Sequence, residues 1–271
     1  ARAAQPAQPA SIFIDVAGLS VRFSLPDREV QALEDVSFTI AENEFVALIG
    51  PSGCGKTTIL NVLAGIVPPT GAGRLRLGGQ PLDAVPRGTV GYVFQDPILL
   101  PWRTIAKNVR LPLEVLGLTS VEDERRVDEL LALVGLSAFA HGYPRQLSGG
   151  MKQRAGIARG LVFNPALVLM DEPFGALDEI TRTGLNTWLQ DLWMKTQKTV
   201  LLVTHNVLEA VFLADKVIVM AADPGRIKEI LPVDLPRPRT LGMFSSPAFV
   251  EQAALIRESL HRDAPGGEAT P

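Results

Sequence analysis

The chain has 271 residues, 26 basic and 29 acidic side chains, a formal net charge of −3 and 46% hydrophobic residues. That length suits one domain with a sizeable insertion or two small ones, and the mixed, slightly acidic charge lacks the basic face of a nucleic-acid binder. A single cysteine, Cys54, excludes a disulfide framework and a cysteine-rich zinc site, and no apolar run approaches the roughly 18–20 residues that span a bilayer.

In chain order, ARAAQPAQPA lacks the apolar core of a secretory signal and is expected to be a flexible tail over 1–10; the missing initiator Met points to processing or trimming. Between 12 and 49, SIFIDV, LSVRFSL, VSFTI and EFVALIG are short apolar or alternating stretches with turn residues between them, and they predict strands. The last runs into GPSGCGKTT and then ILNVLAGIV, a helix; GRLRLGG and TVGYVFQ predict further strands. From about 97 to 160 the pattern turns helical. Ser120 with Asp123 forms a capping pair, Val127, Leu130, Leu131 and Val134 share one helix face, and Gly135 is placed to stop that helix. A second helix starts after LSGGMKQR. ALVLMD is a continuous apolar run, as in a buried parallel strand. Asp178 caps a helix whose inner face is Leu185, Trp188, Leu189 and Leu192; TVLLVTH and KVIVMA are further buried strands. Ser246 and Pro247 open a last helix with Phe249, Ala253, Ile256 and Leu260 on one face, and RDAPGGEATP ends the chain as a second tail. The plan is an α/β core with a small N-terminal β layer and an inserted helical part.

Several polar positions carry chemistry. Gly50, Pro51, Ser52, Gly53, Cys54, Gly55, Lys56 and Thr57 match G-x-x-x-x-G-K-[ST] between a strand and a helix. There backbone amides cradle phosphates, with Thr58 following, Lys56 reaching the β- and γ-phosphates and Thr57 offering a hydroxyl to Mg²⁺. The strand LVLMDE delivers Asp171, suited to hold Mg²⁺, and then Glu172, placed to polarise a water at the γ-phosphate. His205 and Gln95 each end a strand. Taken alone each is equally a polar strand end; in a sheet carrying Lys56 and Asp171, His205 can reach the γ-phosphate and Gln95 the Mg²⁺ or the attacking water. Ser148-Gly149-Gly150 reads as a turn capping a helix or as an anion-binding helix start. Cys54 sits among phosphate-directed amides, an environment that lowers a thiol pKa, or it is simply a small residue that the loop accommodates.

In this order, Gly50–Thr57, Gln95, the signature Leu147–Gln153, Asp171–Glu172, GALD at 175–178 and His205 resemble ATP-binding cassette (ABC) transporter ATPases over about 12–235. The resemblance implies a P-loop NTPase core of RecA-like type with an N-terminal antiparallel β layer and an inserted α-helical subdomain at about 97–160. The cassette then spans 11–240, followed by a C-terminal helix over 241–262 and a tail over 263–271. It implies ATP and Mg²⁺ as cofactors, with Thr57, Gln95 and Asp171 at the metal and Glu172, His205, Lys56 and Gln95 in catalysis. Two cassettes would pair head to tail. The signature residues Leu147, Ser148, Gly149, Gly150 and Gln153 of one would then meet the ATP held by the phosphate loop of the other. Phe23 matches the aromatic that stacks on adenine, with Phe13 the other candidate. Asp178 matches the loop that communicates between the two ATP sites, and it can cap its helix as well.

One cassette without a membrane span resembles the ATPases of bacterial importers. That implies a separate integral membrane permease, a periplasmic or lipid-anchored solute-binding protein acting indirectly, a second ATPase subunit, no nucleic acid, and a peripheral place on the cytoplasmic face of the inner membrane. DPILLPWRT, with Leu99, Leu100, Trp102 and Arg103, is the expected permease-docking surface; the same residues can instead fill the helical core. LLPWRT and ADPGRIKEILPVDLPRPR at 222–239 resemble the nitrate/sulfonate/taurine importer subfamily, whose members also handle cyanate, aromatic acids and vitamin precursors. A translation or DNA-repair ABC ATPase is the alternative. Those carry two cassettes with a basic linker, or long coiled coils between phosphate loop and signature, and neither feature occurs in this sequence.

Overall fold

The computed structural model describes residues 11–262; the tails expected at 1–10 and 263–271 lie outside the described residues. The chain starts with two long strands, β1 (Ile12–Ser24) and β2 (Glu29–Ala41), then β3 (Phe45–Ile49) and α1 (Lys56–Leu63). SIFIDV and LSVRFSL, expected as two strands, are one: Gly18 takes φ 68° and the register against β2 shifts around it, so a bulge absorbs the break. Next come β4 (Arg74–Leu77), β5 (Gln80–Pro81) and β6 (Val90–Val93), then three helices, α2 (Ile105–Leu116), α3 (Val121–Leu133) and α4 (Gly149–Leu161). Alternation resumes with β7 (Leu167–Asp171), α5 (Glu179–Thr196), β8 (Thr199–Val203), α6 (Val207–Leu213), β9 (Lys216–Ala221), β10 (Arg226–Pro232) and α7 (Pro247–His261).

Two sheets result. One is antiparallel, in the order β2-β1-β4-β5; the other runs β10-β9-β3-β8-β7-β6 and is parallel except for the edge strand β10. The apolar runs of β3, β7 and β8 are buried on both faces because side chains alternate across the sheet. Val46 and Leu48 face the core shared with α1 and the antiparallel sheet, whereas Phe45, Ala47 and Ile49 face the core built by the helices. Leu167 and Leu169 against Val168 and Met170, and Leu201 and Val203 against Val200 and Leu202, divide in the same way. The carboxyl ends of adjacent parallel strands therefore meet at one edge, where open α/β sheets place their ligands.

The expected cap of α3 is present: Ser120 Oγ accepts from Asp123 N, and the Asp123 carboxylate accepts from Ser120 N at 2.8 Å. On α5, Leu185, Leu189 and Leu192 face inward as expected, but Trp188 is only half-buried; Trp193 is the buried indole, edge-on to Phe45 with its Nε1 donating to Lys198 O at 2.8 Å. The end of the LPRPR stretch is a clasp. Arg239 is buried, with Nη1 donating to the carbonyls of Val211, Phe212 and Ala214 and Nη2 to those of Val233 and Leu235; burial pushes its pKa down to about 10. Arg237 pairs with Asp215 at 2.7 Å and lies over the Trp193 ring. No described helix is long and apolar enough to cross a membrane.

Candidate active site

β3 is buried from end to end and feeds straight into the loop 50–55. Gly53 and Gly55 take φ of 80° and 89°, a region where L side chains are strained, so the chain curls and α1 starts at Lys56 with Gly55 as its N-cap. The loop thus runs directly into the positive end of α1, an arrangement suited to an anion. Lys56 is buried, and its Nζ donates to the carbonyls of Gly50 (2.9 Å) and Pro51 (2.8 Å). Cys54 departs from expectation: it is fully buried, and dehydration pushes its thiol up, outweighing the Lys56 ammonium 3.6 Å away. The thiol is an inner wall of the loop.

The loop is backed by Gly225, which bonds both ways with β2: Gly225 N donates to Ala32 O and Glu34 N to Gly225 O. A Cβ at Gly225 would stand 2.2 Å from Cys54 O and 2.7 Å from Ala32 O. Gly225→Ala is therefore expected to push the phosphate loop off its backing, costing about 1–3 kcal/mol and weakening ATP binding. Calorimetry and a nucleotide titration check this; an unchanged Tm and affinity would show that the close approach is tolerated.

Asp171 is the last residue of β7, and its Oδ1 accepts from Thr57 Oγ1 at 3.2 Å. Burial pushes Asp171 up, Thr57 and Lys56 pull it down, and Glu172 pushes it up. An anionic carboxylate held in such a place, beside a hydroxyl oxygen, is the donor set of a hard cation. Glu172 takes φ 43°, rare for a side-chain-bearing residue, with its N donating to Val203 O (2.9 Å) and its carbonyl accepting from Gly175 N (3.1 Å). That turn re-aims the carboxylate off the strand, and Glu172 Oε2 lies 3.0 Å from Nδ1 of His205, two residues beyond the end of β8. With Nδ1 engaged, Nε2 is the ring nitrogen left for another partner.

Ser148 and Gly149 are exposed at the start of α4, where Ser148 Oγ accepts from Met151 N. The stretch caps a helix, as one of its two readings expects. The glycines have a further reason. A Cβ on Gly149 would stand 3.2 Å from Leu177, and one on Gly150 3.2 Å from Thr181, so α4 lies directly against the segment that begins α5. Asp178 caps α5 by accepting from Thr181 N at 2.9 Å. Leu147 and Gln153 do not face outward as a signature exposed to a partner would need. Leu147 is core, and buried Gln153 donates to Gln95 O at 2.7 Å, because the period of α4 turns its fifth residue toward β6. Gln95 itself is exposed, two residues beyond β6 rather than at its end. A cavity of about 700 Å³ beside the phosphate loop is lined by Gly50, Pro51, Ser52, His205, Asp223 and Lys228 among others, and by no signature residue. Phe13 is core, while Phe23 is 38% exposed, paired with Val30 on the strand whose Leu33 packs on Gly55.

The family model described as ABC transporter matches residues 33–175, more than half of the chain. The chain belongs to the ABC transporter family. An ATP-binding protein of Brucella abortus (strain 2308) is 45% identical over 234 residues, covering 86% of this chain and 89% of its own. The taurine import ATP-binding protein TauB of Rhizobium johnstonii is 45% identical over 239 residues, covering 86% and 90%. The solved dimeric structure of a post-hydrolysis state of the ATP-binding cassette MJ0796, bound to ADP and Pi, superposes with a TM-score of 0.71 at 31% identity, over 82% of this chain and all of that one. The fold is that of an ABC ATPase cassette, and the cassette binds and hydrolyses ATP.

On the cassette's helical side, the expected docking residues separate. Leu99 packs into the core, Arg103 pairs with Glu114 at 2.7 Å, and Trp102 is 71% exposed. Fully buried Asn108 ties the segment down, accepting from Leu100 N and donating to the carbonyls of Leu100, Arg103 and Thr104. Beside it runs an apolar groove of about 390 Å³ lined by Phe94, Ile98, Leu100, Pro112, Val115 and Phe163 among others. Arg159 at this groove donates to the carbonyls of Pro97 and Ile98. Ile98 lies in the stretch DPILLPWRT expected to dock, whereas Val115 was missed because α2, which holds Pro112 in its interior, was not placed from the sequence.

Proposed function

We propose that this cassette drives uptake of a small solute through a separate integral membrane permease at the cytoplasmic face of the inner membrane. The solute is taurine or a related sulfonate- or nitrate-type anion, handed over by a periplasmic or lipid-anchored binding protein. The observation that carries the permease is the groove beside the Gln95 segment: Ile98 and Trp102 are exposed, and Val115 is 77% exposed, and none of the described residues covers them. The solute class is supported by the likeness to TauB.

In this scheme the amides of Gly50–Thr58 and the Lys56 ammonium hold the phosphates, and Phe23 stacks on the adenine. Thr57 and Asp171, with Gln95, hold Mg²⁺, which neutralises phosphate charge when bound. Ser148, Gly149 and Gly150 of a second cassette cover the γ-phosphate. Glu172, pinned by His205, takes a proton from the attacking water as its oxygen bonds to the γ-phosphorus and the bond to ADP breaks, releasing ADP and inorganic phosphate. His205 Nε2 steadies the γ-phosphate.

Membranes from cells expressing the cassette with its neighbouring genes are expected to retain it together with a polytopic protein. Val115→Asp is expected to release it while its basal ATPase stays intact. A wild-type cassette that washes off, or a variant that stays bound, refutes the docking surface. Uptake of labelled taurine against labelled nitrate in a deletion strain separates the solutes.

A further inference from the structure

The signature helix α4 grips the segment that leaves β6. Gln153, 3% exposed, donates from Nε2 to Gln95 O at 2.7 Å. Gly156 follows three residues on, and a Cβ there would stand 3.2 Å from Pro97 Cβ, so the segment lies directly on the helix. Three residues further, Arg159 donates from Nη2 to Pro97 O at 2.7 Å and from Nη1 to Ile98 O at 2.8 Å. Steps of three residues drift only about 60° around a helix, so these side chains follow the segment as it crosses. Three of its carbonyls are thereby held by the helix that Ser148 caps.

The bend so held is strained. Ile98 takes φ 40°, an outlier for a β-branched residue. Such a conformation persists only where the surroundings over-determine it. The Arg159 fork does this, because its two carbonyls belong to the peptide groups on either side of the Ile98 Cα. Burial lowers the Arg159 pKa, and no carboxylate among the described residues offsets that. A desolvated guanidinium without a counter-ion costs stability, which an apolar side chain at this place would not. The two ends of the bend serve different surfaces. Gln95 is exposed and stands with Mg²⁺ in the scheme above. Ile98 is 58% exposed and lines the apolar groove, as Arg159 does.

We infer that Arg159 is a positioning residue that sets Gln95 and Ile98 together. Its fork fixes the bend at Pro97 and Ile98, and Gln153 holds the carbonyl of Gln95 on the same helix. The metal-side glutamine and the docking-side isoleucine therefore keep one spacing and travel with the signature. The inference deepens the metal and docking readings above and rests on both.

Three variants separate the parts. Val115→Asp alters only the groove, Gln95→Ala only the metal side, and Arg159→Met removes the fork but keeps an unbranched, apolar side chain. Each is read on the full-length chain by the Mg²⁺ dependence of ATP binding and by melting temperature, and by retention on membranes from cells expressing the cassette with its neighbouring genes. Val115→Asp is expected to lose retention and keep the Mg²⁺ dependence; Gln95→Ala is expected to do the reverse. Arg159→Met is expected to lose both. The Mg²⁺ concentration for half-maximal effect should rise about 10-fold, the low end for a residue that orients a metal ligand, and the protein should wash off. ATP affinity without Mg²⁺ should hold, since Lys56 keeps its contacts with Gly50 and Pro51. Arg159→Lys, one ammonium for two carbonyls, should recover part of both properties. Adding Ile98→Gly to Arg159→Met should restore the Mg²⁺ dependence but not retention. Glycine takes φ 40° without a clamp, and it brings no side chain to the groove. An Arg159→Met chain that loses neither property, or only one, overturns the joint role. A lower melting temperature with ATP affinity falling equally with and without Mg²⁺ reduces Arg159 to a structural residue and overturns it too, as does a double variant that recovers nothing. Unchanged Mg²⁺ dependence in Gln95→Ala overturns the metal reading, and a Val115→Asp chain that stays bound overturns the docking reading. The inference falls with either, and the variant that behaves as wild type shows which one failed.

Discussion

Replacing Glu172 by Gln is expected to leave a cassette that binds ATP, closes on it and hydrolyses it at least ~10²-fold more slowly, the usual contribution of a positioned general base. The geometry makes this a clean test. Gln has the same length, its backbone can keep the φ of 43° that aims the side chain, and its amide oxygen can still meet His205 Nδ1. None of the phosphate-loop contacts changes: Lys56 still spans Gly50 and Pro51, and Thr57 still meets Asp171. What disappears is a group able to take the proton. The variant should accumulate as an ATP-bound dimer on gel filtration. Turnover near the wild-type rate would remove Glu172 from the role of base.

The second large effect concerns the signature. Ser148→Arg fills the exposed start of α4 with a long cation, so it should abolish hydrolysis while ATP affinity of the separate subunit stays nearly unchanged, since no signature residue lines the cavity at the phosphate loop. The lost helix cap costs only about 1 kcal/mol. Gly149→Asp should do the same, with added pressure on Leu177, 3.2 Å away. Mixing the two variants separates a shared site from two independent ones. Glu172→Gln and Ser148→Arg each kill both sites of a symmetric dimer. A mixed dimer puts both defects in one site and leaves the other site intact. Two inactive preparations combined should regain up to roughly a quarter of wild-type rate, because about half of randomly formed dimers are mixed and each keeps one good site of two. No recovery on mixing stable, ATP-binding variants counts against head-to-tail sharing.

Much of the core could be read from the sequence because its causes are local. The runs in β3, β7 and β8 are apolar on successive residues and short, as suits a strand buried on both faces, and the phosphate loop announces itself by glycines at fixed spacing. What stayed hidden depends on distant partners. β10 (RIKEILP) is half polar because it is an edge strand, so it shows no strand pattern. α6 has seven residues, too few for a period. Trp193, rather than Trp188, is the buried indole of α5 because Phe45 and Arg237 reach it from elsewhere in the chain. Asn108, Glu209 and Arg239 are polar side chains that composition assigns to the surface, and their burial follows from carbonyls and hydroxyls supplied by other segments. The signature showed a helix start but not that Gln153 turns inward to Gln95.

Arg239 gives the LPRPR stretch a meaning beyond ancestry. Its guanidinium closes five carbonyls, three of them at the end of the helix that follows His205. A lysine, with one ammonium and no planar fork, cannot replace it. Peeling this clasp away would strand all five acceptors at once, so the C-terminal strap and α6 cannot fray separately. In amide hydrogen exchange they should open as one cooperative unit, which makes the strap a part of what keeps the segment after His205 rigid.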